Sequence, residues 1–249
     1  MQAMIFAAGL GTRLKPLTDT MPKALVRVGE SALLERAIRK LAAAGAGKMV
    51  VNVHHFAKQI KEFLCDNNNF GQDIAVSDES SQLLDTGGGM KKAQSLFNDD
   101  EPILIHNVDI LSNVDLKEFY EQGRQNDATL LVSNRQTTRY LLFDDDMRLV
   151  GWTNIKTGEV RSPYDDINPK DCTMMAFAGI HSFSPRLFPL MDSFPDKFGI
   201  MDFYLNVCHK TTIKGVVVDD LKFLDVGKID TLADAEKFLE QLESEKEKK

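Results

Sequence analysis

Residues 4–25 read MIFAAGLGTRLKPLTDTMPKAL, so an apolar segment runs directly into a loop rich in glycine and basic residues. The apolar start, residues 4–8, has the continuous hydrophobic character of a buried strand in a parallel sheet. In open α/β sheets, the loops at the carboxyl ends of the strands form the ligand site. We therefore expect the loop that begins at Ala8 to bind a ligand.

Strand and helix patterns alternate along the chain as far as residue 133. Apolar runs typical of strands are found at residues 49–53, 74–76, 103–105 and 129–133, and helical spacing at 33–44, 56–64, 87–97 and 114–125. This alternation predicts an α/β fold with a Rossmann-like, doubly wound, mostly parallel sheet and helices on both faces. Beyond residue 133, a hairpin pattern and further strands predict a mixed sheet and a small appended lobe.

Composition excludes several classes of function. The 249 residues carry a net charge of −7, which argues against binding to nucleic acid or to a membrane surface. Cys65, Cys172 and Cys208 are widely spaced, as expected of reduced and mostly buried thiols. No apolar run approaches the roughly 20 residues of a membrane span. We expect a cytoplasmic protein with no nucleic-acid or membrane partner.

The loop after the first strand carries groups that suit a polyphosphate. Gly9 and Gly11 allow the backbone to approach a ligand closely, and its N–H groups can form an anion-binding concavity. Arg13 offers a planar fork for phosphate oxygens, and Lys23 offers a compact charge. From residue 9 to residue 27, four basic residues stand against one acidic residue, Asp19. The loop is locally cationic in an acidic protein.

Two familiar glycine motifs do not fit this loop. No GK[ST] sequence closes it, which excludes a Walker A loop. The second strand ends in NVHH, residues 52–55, without the acidic residue of a dinucleotide-binding fingerprint, which argues against an NAD-dependent oxidoreductase. An ordinary tight turn with solvated cations is the alternative. Pro16, Thr18 and Pro22, together with Arg13 and Lys23, argue against it.

The stretches AAGLGTRLKPLT and MPKAL together resemble the signature of the sugar-phosphate nucleotidyltransferases, the nucleoside-diphosphate-sugar pyrophosphorylases. The resemblance implies that a sugar 1-phosphate attacks the α-phosphorus of an NTP, giving an NDP-sugar and pyrophosphate. It also implies that Arg13 holds the leaving phosphates and Lys23 the reacting ones. The nucleotide-binding residues that it implies are Ala7, Ala8, Gly9, Gly11, Thr12, Arg13, Lys23, Glu79, Gly87 and Gly88.

Two aspartates just past strand ends are candidates for a Mg²⁺ site. Phosphoryl transfer needs positioning and charge neutralisation, and Mg²⁺ favours one or two carboxylates plus substrate oxygens. Asp109 follows the strand at 103–105, and Asp225 lies in a DVG sequence. The resemblance implies that both bind the metal and that Asp109 is catalytic, although Val108 stands where the family more often has glycine. A turn or helix-cap role for Asp109 and a chance turn at Asp225 are the alternatives.

The sequence LDTGGG, residues 84–89, opens a predicted helix. Its consecutive glycines are expected to expose backbone donors and acceptors to a flat base, and a flexible turn is the alternative. The resemblance implies that Gly87 and Gly88 lie against the base and that Glu79 and Gln82 read its edge.

The sugar side is less legible. The resemblance implies that Asn107, Gly179 and Asp202 contact the sugar, although Asp202 equally suits the first turn of a helix as a charge favoured by the dipole. Trp152 and Asn154 either face the sugar or close the hairpin.

Within the family, LDTGGG and NVHHFAKQI look most similar to the subgroup that contains N-acetylmuramate-1-phosphate uridylyltransferase. We therefore expect a Mg²⁺-dependent enzyme, a monomer or small homo-oligomer, that joins UTP to N-acetylmuramate 1-phosphate in cell-wall recycling. The alternatives are a mannose-1-phosphate guanylyltransferase, another sugar- or alcohol-phosphate nucleotidyltransferase, and a catalytically silent nucleotide-sugar sensor. We expect a single nucleotidyltransferase domain at 1–242, made of a nucleotide-binding half (1–133), a sugar-binding part (134–230) and a closing helix (231–242), followed by a charged tail (243–249).

Overall fold

A computed structural model describes residues 1–246, which divide into two compact units. The first unit comprises Met1–Leu83, Ile105–Leu116 and the chain from Leu221 onward. The second unit comprises Leu84–Leu104 and Lys117–Asp220. The predicted tail residues 247–249 lie outside the described part of the chain.

The first unit is built on a parallel sheet in which the middle strand pairs with both others. The strands are β1 (Gln2–Phe6), β4 (Lys48–Val53) and β5 (Ile74–Asp78), with β4 between β1 and β5. Helices α1 (Leu33–Ala43) and α2 (Ala57–Asp66) connect them. Leu34, Ile38 and Leu41 follow the helical period of α1, and all three are fully buried.

Two short antiparallel pairs complete the first unit. Strands β2 (Arg27–Val28) and β3 (Ser31–Ala32) form a small hairpin. Strand β6 (Ile103–Asn107) leads through a turn into β7 (Ile110–Ser112), which pairs with β14 (Phe223–Asp225). Helix α6 (Ile229–Lys246) follows β14. The pairing of β7 with β14 joins two chain segments that are about a hundred residues apart in sequence.

The second unit contains a mixed sheet in the order β11–β10–β9–β12–β8–β13. The strands are β8 (Ala128–Ser133), β9 (Arg139–Phe143), β10 (Leu149–Asn154), β11 (Glu159–Arg161), β12 (Thr173–Phe183) and β13 (Ile213–Val217). β13 pairs with β8 in parallel, and the other pairings in this sheet are antiparallel. The helices that belong wholly or mostly to this unit are α3 (Asp85–Ala93), α4 (Leu116–Gly123) and α5 (Ile200–Val207).

An aromatic cluster packs α5 against β12 in the second unit. The ring centroids of Phe183 and Phe203 are 6.3 Å apart, and those of Phe183 and Phe188 are 5.0 Å apart. The hydroxyl oxygen of Tyr204 and Nδ1 of His181 form a hydrogen bond of 3.0 Å. Burial lowers the pKa of His181 to about 3, so this ring is neutral and belongs to the core.

The α/β fold with a mixed, mostly parallel sheet is confirmed. Strands of two or three residues, such as β2, β7 and β11, escaped prediction because they are too short to show a period. The last helix begins at Ile229 and continues through residues 243–246, which the sequence pattern predicts as part of the charged tail. The single domain at 1–242 with a boundary at residue 133 stays a prediction.

Two expectations from the sequence concern the burial of the cysteines and the presence of membrane-spanning helices. All three cysteines are free, but only Cys208 is buried, so the expectation of mostly buried thiols was wrong for Cys65 and Cys172. Among residues 1–246, the structure contains no helix with both the length and the apolar character that crossing a membrane requires.

Glycines allow α3 to approach a neighbouring segment at residues 196–198. A methyl group at Gly88 would lie 2.0 Å from the Asp196 carbonyl oxygen, and one at Gly87 would lie 2.4 Å from the Phe198 ring. The N–H groups of Gly87 and Gly88 both donate to the Phe198 carbonyl, at 2.9 and 3.1 Å. The lack of side chains here serves close packing within the second unit.

This packing predicts that Gly88→Ala destabilises the fold. The added methyl group meets backbone, which cannot move aside as a flexible side chain can, so we expect the free energy of unfolding to fall by about 3 kcal/mol. Urea denaturation measures the change. Gly47→Ala is the matched control, because no atom lies within 4 Å of the position its methyl group would take. Equal stability of the two variants would contradict the packing argument.

Candidate active site

The loop after β1 depends on the conformation of Gly11. Its φ of +63° lies in the left-handed region, and a methyl group there would lie 2.9 Å from Thr18 Cγ2 and 3.0 Å from Lys23 Cβ. The Thr18 hydroxyl donates to the Gly11 carbonyl at 2.9 Å. Glycine at this position therefore lets the loop fold back so that Lys23 packs directly against its backbone.

Lys23 forms an ion pair with Asp109. Its Nζ contacts Oδ2 of Asp109, which lies in the turn between β6 and β7. The two side chains are only 11% and 15% exposed. Because an ion pair shielded from water attracts more strongly than an exposed one, this contact holds the loop that contains Lys23 to the end of β6.

Asp225 joins the same group through the pairing of β14 with β7. It lies opposite Ile110, and the N–H of Val226 donates to the Asp109 carbonyl at 2.9 Å. The carboxyl groups of Asp225 and Asp109 are close enough for each to influence the other. Although Asp225 remains partly exposed, desolvation and then the charge of Asp109 raise the pKa of its carboxyl, whereas Lys23 and Arg13 lower that pKa.

Arg13 reaches this group across Gly227. A methyl group at Gly227 would lie 2.6 Å from Asp225 Oδ1 and 2.9 Å from Arg13 Nη2, so only glycine leaves room for both side chains. The structure thus brings together Arg13, Lys23, Asp109 and Asp225, which lie in three distant segments of the sequence. Two carboxylates face two cations in one group, in which Arg13 and Asp225 are exposed and Lys23 and Asp109 are mostly shielded.

The donor set fits Mg²⁺. Two neighbouring carboxylates repel each other, and a divalent cation between them would relieve that repulsion. In the described part of the chain, no group of three His, Cys, Asp or Glu side chains is arranged to hold a metal ion. Mg²⁺ typically uses one or two carboxylates and fills its other positions with water and phosphate oxygens. Asp109 and Asp225 would be its protein ligands here.

A buried hydrogen-bond chain fixes the start of the loop. The Ala7 N–H donates to Asn52 Oδ1 at 2.7 Å, and Asn52 Nδ2 donates to Glu79 Oε1 at 2.8 Å. Asn52 is 2% exposed and Glu79 has no exposed surface. The prediction that Glu79 reads the edge of a base therefore needs correction, because its carboxylate lies beneath the loop and orients Asn52.

The other predicted residues of the first unit lie along the loop and at the end of β6. Ala8 is buried, whereas Gly9 and Thr12 are exposed, and no atom lies within 4 Å of the position that a methyl group on Gly9 would take. The backbone at Gly9 is thus open to a ligand. Asn107 is the half-buried last residue of β6, two positions before Asp109.

The remaining predicted residues belong to the second unit. Gly179 has a φ of +78° and lies at a register shift in β12 between Phe177 and His181. Asp202 lies in the first turn of α5, where Arg161 Nη2 donates to its Oδ1 at 2.7 Å. The expectation that Gly87 and Gly88 expose their backbone donors was wrong, because the Phe198 carbonyl accepts from both N–H groups.

Sequence analysis missed Asn52 and Arg161. Asn52 had a readable signal, since it is the one polar residue in the otherwise apolar run MVVNV at residues 49–53. A polar side chain inside a buried strand must find hydrogen-bond partners. Arg161 had no such signal, because its partner Asp202 is 41 residues away in sequence.

The nucleotidyl transferase family model matches residues 2–147. The N-acetylmuramate alpha-1-phosphate uridylyltransferase of Caulobacter vibrioides is 30% identical over 237 residues, which cover 90% of this chain and 91% of that protein. The mannose-1-phosphate guanyltransferase of Neurospora crassa is 34% identical over 137 residues, which cover 53% of this chain and 37% of that protein.

Solved structures share the fold. HddC from Yersinia pseudotuberculosis superimposes with a TM-score of 0.75 at 22% identity, covering 96% of this chain and 99% of that one. At that level of identity, the similarity establishes the architecture alone.

The paired carboxylates predict a specific response to divalent cations. Without a divalent cation, we expect Asp225→Asn to keep or slightly raise the melting temperature, because it removes one of two neighbouring like charges. Added MgCl₂ should stabilise the native protein, and this gain should be lost in Asp225→Asn. Thermal unfolding with and without MgCl₂, at constant ionic strength, measures both effects. Asp165→Asn, at an exposed site, should respond to MgCl₂ as the native protein does; an Asp225→Asn variant that also does so would contradict the site.

The buried chain from Ala7 to Glu79 predicts coupled stability effects. Asn52→Ala leaves a buried N–H and a buried carboxylate without this partner, so we expect a loss of about 2–4 kcal/mol in the free energy of unfolding. Combined with Glu79→Ala, the losses should fall short of their sum by about 1 kcal/mol or more. Urea denaturation of the two single variants and the double variant completes the cycle. Strictly additive losses would show that the two side chains act independently.

Proposed function

Because the chain belongs to the nucleotidyl transferase family, we propose that it joins UTP to N-acetylmuramate 1-phosphate, giving UDP-N-acetylmuramate and pyrophosphate. The observation that carries the reaction type is the convergence of Arg13, Lys23, Asp109 and Asp225 in one partly exposed group. The choice of base and sugar is supported by the relative from Caulobacter vibrioides, which matches this chain over nine-tenths of its length.

In the proposed reaction, an oxygen of the sugar phosphate attacks the α-phosphorus of the nucleotide. The bond between the α-phosphorus and the bridging oxygen to the β-phosphorus breaks, and the electron pair leaves with pyrophosphate. Both substrates are anions, so the site must offset their repulsion and align them. No covalent intermediate with the protein is needed.

The two basic side chains take different parts in this reaction. Arg13 presents a guanidinium that can bind two phosphate oxygens at once, which suits the leaving pyrophosphate. Lys23 is held by Asp109 and by the folded loop, which supports the proposal that its ammonium binds the reacting α-phosphate. A charge that is already in place requires no reorganisation when negative charge develops in the transition state.

Asp109 and Asp225 would hold the Mg²⁺ that we propose as cofactor. When bound, the cation supplies positive charge to the phosphate oxygens that approach each other. Asp109 has a second function in the absence of substrate, since it neutralises and orients Lys23. The N–H of Val226, which donates to the Asp109 carbonyl, keeps the two aspartates at a fixed separation.

The nucleotide is proposed to lie along the loop that begins at Ala7. The exposed backbone at Gly9 leaves room for close approach, and Asn52 fixes the strand end from which the loop departs. We also propose that the reaction takes place in the cytoplasm, as part of cell-wall sugar recycling. The free thiols of Cys65, Cys172 and Cys208 suit a reducing compartment.

A substrate matrix tests this function. The protein is incubated with Mg²⁺ and each of UTP, GTP, CTP and ATP, paired with the 1-phosphates of N-acetylmuramate, N-acetylglucosamine, mannose and glucose, and pyrophosphate release is measured. We expect the highest kcat/KM with UTP and N-acetylmuramate 1-phosphate. A preference for GTP and mannose 1-phosphate would replace the proposed substrates, and no release in any pairing would favour a nucleotide-sugar sensor.

Two lysine variants from the same loop show whether turnover belongs to this site. Lys23→Ala should lower kcat by roughly 100-fold or more, as loss of a preorganised charge does. Lys15→Ala is the matched control, since Lys15 is 61% exposed and pairs only with Asp19 among the described residues. Equal activity of the two variants would remove Lys23 from the reaction.

A further inference from the structure

Each basic residue proposed to bind phosphate lies beside an aspartate proposed to bind the metal. Lys23 Nζ contacts Oδ2 of Asp109. A methyl group at Gly227 would lie 2.6 Å from Asp225 Oδ1 and 2.9 Å from Arg13 Nη2, so these two side chains are also neighbours. All of these residues belong to the first unit. Two positive charges therefore face two negative charges within the protein itself.

The contact between Lys23 and Asp109 withholds a group from each of the two ligands. An ammonium against Oδ2 of Asp109 occupies space that a metal ion bound to that oxygen would need. The same ammonium is a weaker partner for phosphate while a carboxylate offsets its charge. Because the side chains of Lys23 and Asp109 are only 11% and 15% exposed, water screens their attraction less than that of a surface pair. A ligand for either partner must first separate the two.

The Lys23 side chain can change partners while its loop stays folded. A methyl group at Gly11 would lie 3.0 Å from Lys23 Cβ, so the start of the side chain packs against the backbone of the loop. Beyond Cβ, a lysine side chain is a flexible stem that carries a compact charge. The ammonium can therefore move away from Asp109 by rotation about side-chain bonds alone.

We infer that Lys23 takes the place of the metal ion at Asp109 until a divalent cation and a polyphosphate bind, and that Asp109 then pairs with the cation and Lys23 with the phosphate. The inference rests on the proposed function for the identity of the two ligands. Either ligand alone would leave Lys23 or Asp109 in a shielded position without its partner, which is unfavourable. Together, the ligands supply a new partner to both, so each strengthens the binding of the other.

The first test measures binding of Mg²⁺ alone by isothermal titration calorimetry. Lys23→Met removes the competing ammonium and keeps an apolar stem of similar length. We expect the Kd for Mg²⁺ to fall roughly 10-fold, because Asp109 no longer has to be released. Lys15→Met is the matched control, since it removes a positive charge from the same loop, where Lys15 pairs with Asp19 at 3.0 Å. It should change the Kd by less than about twofold, because an exposed charge is screened by salt.

The second test measures binding of tripolyphosphate in EDTA, with no divalent cation. Asp109→Asn keeps the shape of the side chain and removes the charge that holds Lys23. We expect the Kd for tripolyphosphate to fall roughly 10-fold relative to the native protein, because the ammonium is then available to the anion. Asp19→Asn removes a negative charge from the exposed pair in the same loop, and it should have little effect.

Thermal unfolding shows whether each variant is folded, and each test decides the question alone if the variant of the other does not fold. Mg²⁺ binding that changes no more in Lys23→Met than in Lys15→Met would overturn the inference. Tripolyphosphate binding that is equal in Asp109→Asn and Asp19→Asn would also overturn it. Failure of the proposed function is distinct, since it is seen as no pyrophosphate release by the native protein with any pair of substrates.

Discussion

The contact between Lys23 and Asp109, with Asp225 beside it, is the interaction on which the arrangement of the first unit's site depends. Two neighbouring carboxylates would separate if they were left alone, and the lysine offsets part of their repulsion. Desolvation, and then the charge of Asp109, raise the pKa of Asp225. The folded chain therefore holds two acids side by side, an arrangement that fits the Mg²⁺ site that we propose.

Two glycines and one strand pairing are enough to bring these charged side chains together. Gly11 lets the loop return against Lys23, Gly227 leaves space for Arg13 and Asp225, and the β7–β14 pairing sets Asp225 opposite Ile110. Each of these constraints acts on the backbone or on empty space. The charged side chains can thus be drawn from separate parts of the chain, because glycine and strand pairing bring them together.

Sequence patterns predicted every long strand and helix, because continuous apolar runs and helical spacing persist over five or more residues. They also predicted Arg13, Lys23, Asp109 and Asp225 as one group, and the resemblance to sugar-phosphate nucleotidyltransferases is confirmed. The predictions were wrong for residues whose role depends on whether they are buried. Glu79 and the glycines of α3 look like binding residues in the sequence, but Glu79 lies beneath the loop and Gly87 packs against Phe198. Burial follows from long-range packing, which local patterns do not contain.

The family model matches the residues proposed for the reaction but not the part of the chain expected to select the sugar. The matched region ends at residue 147, and it includes Arg13, Lys23 and Asp109, whose charges we propose act on phosphate groups common to any nucleotidyl transfer. Trp152, Arg161 and Asp202 all lie beyond it. A sugar is distinguished by its substituents, whereas the phosphate groups are common to all of the candidate substrates. The residues that define which sugar is used are therefore expected in the part of the chain where the family model is silent and the relative from Caulobacter vibrioides still aligns.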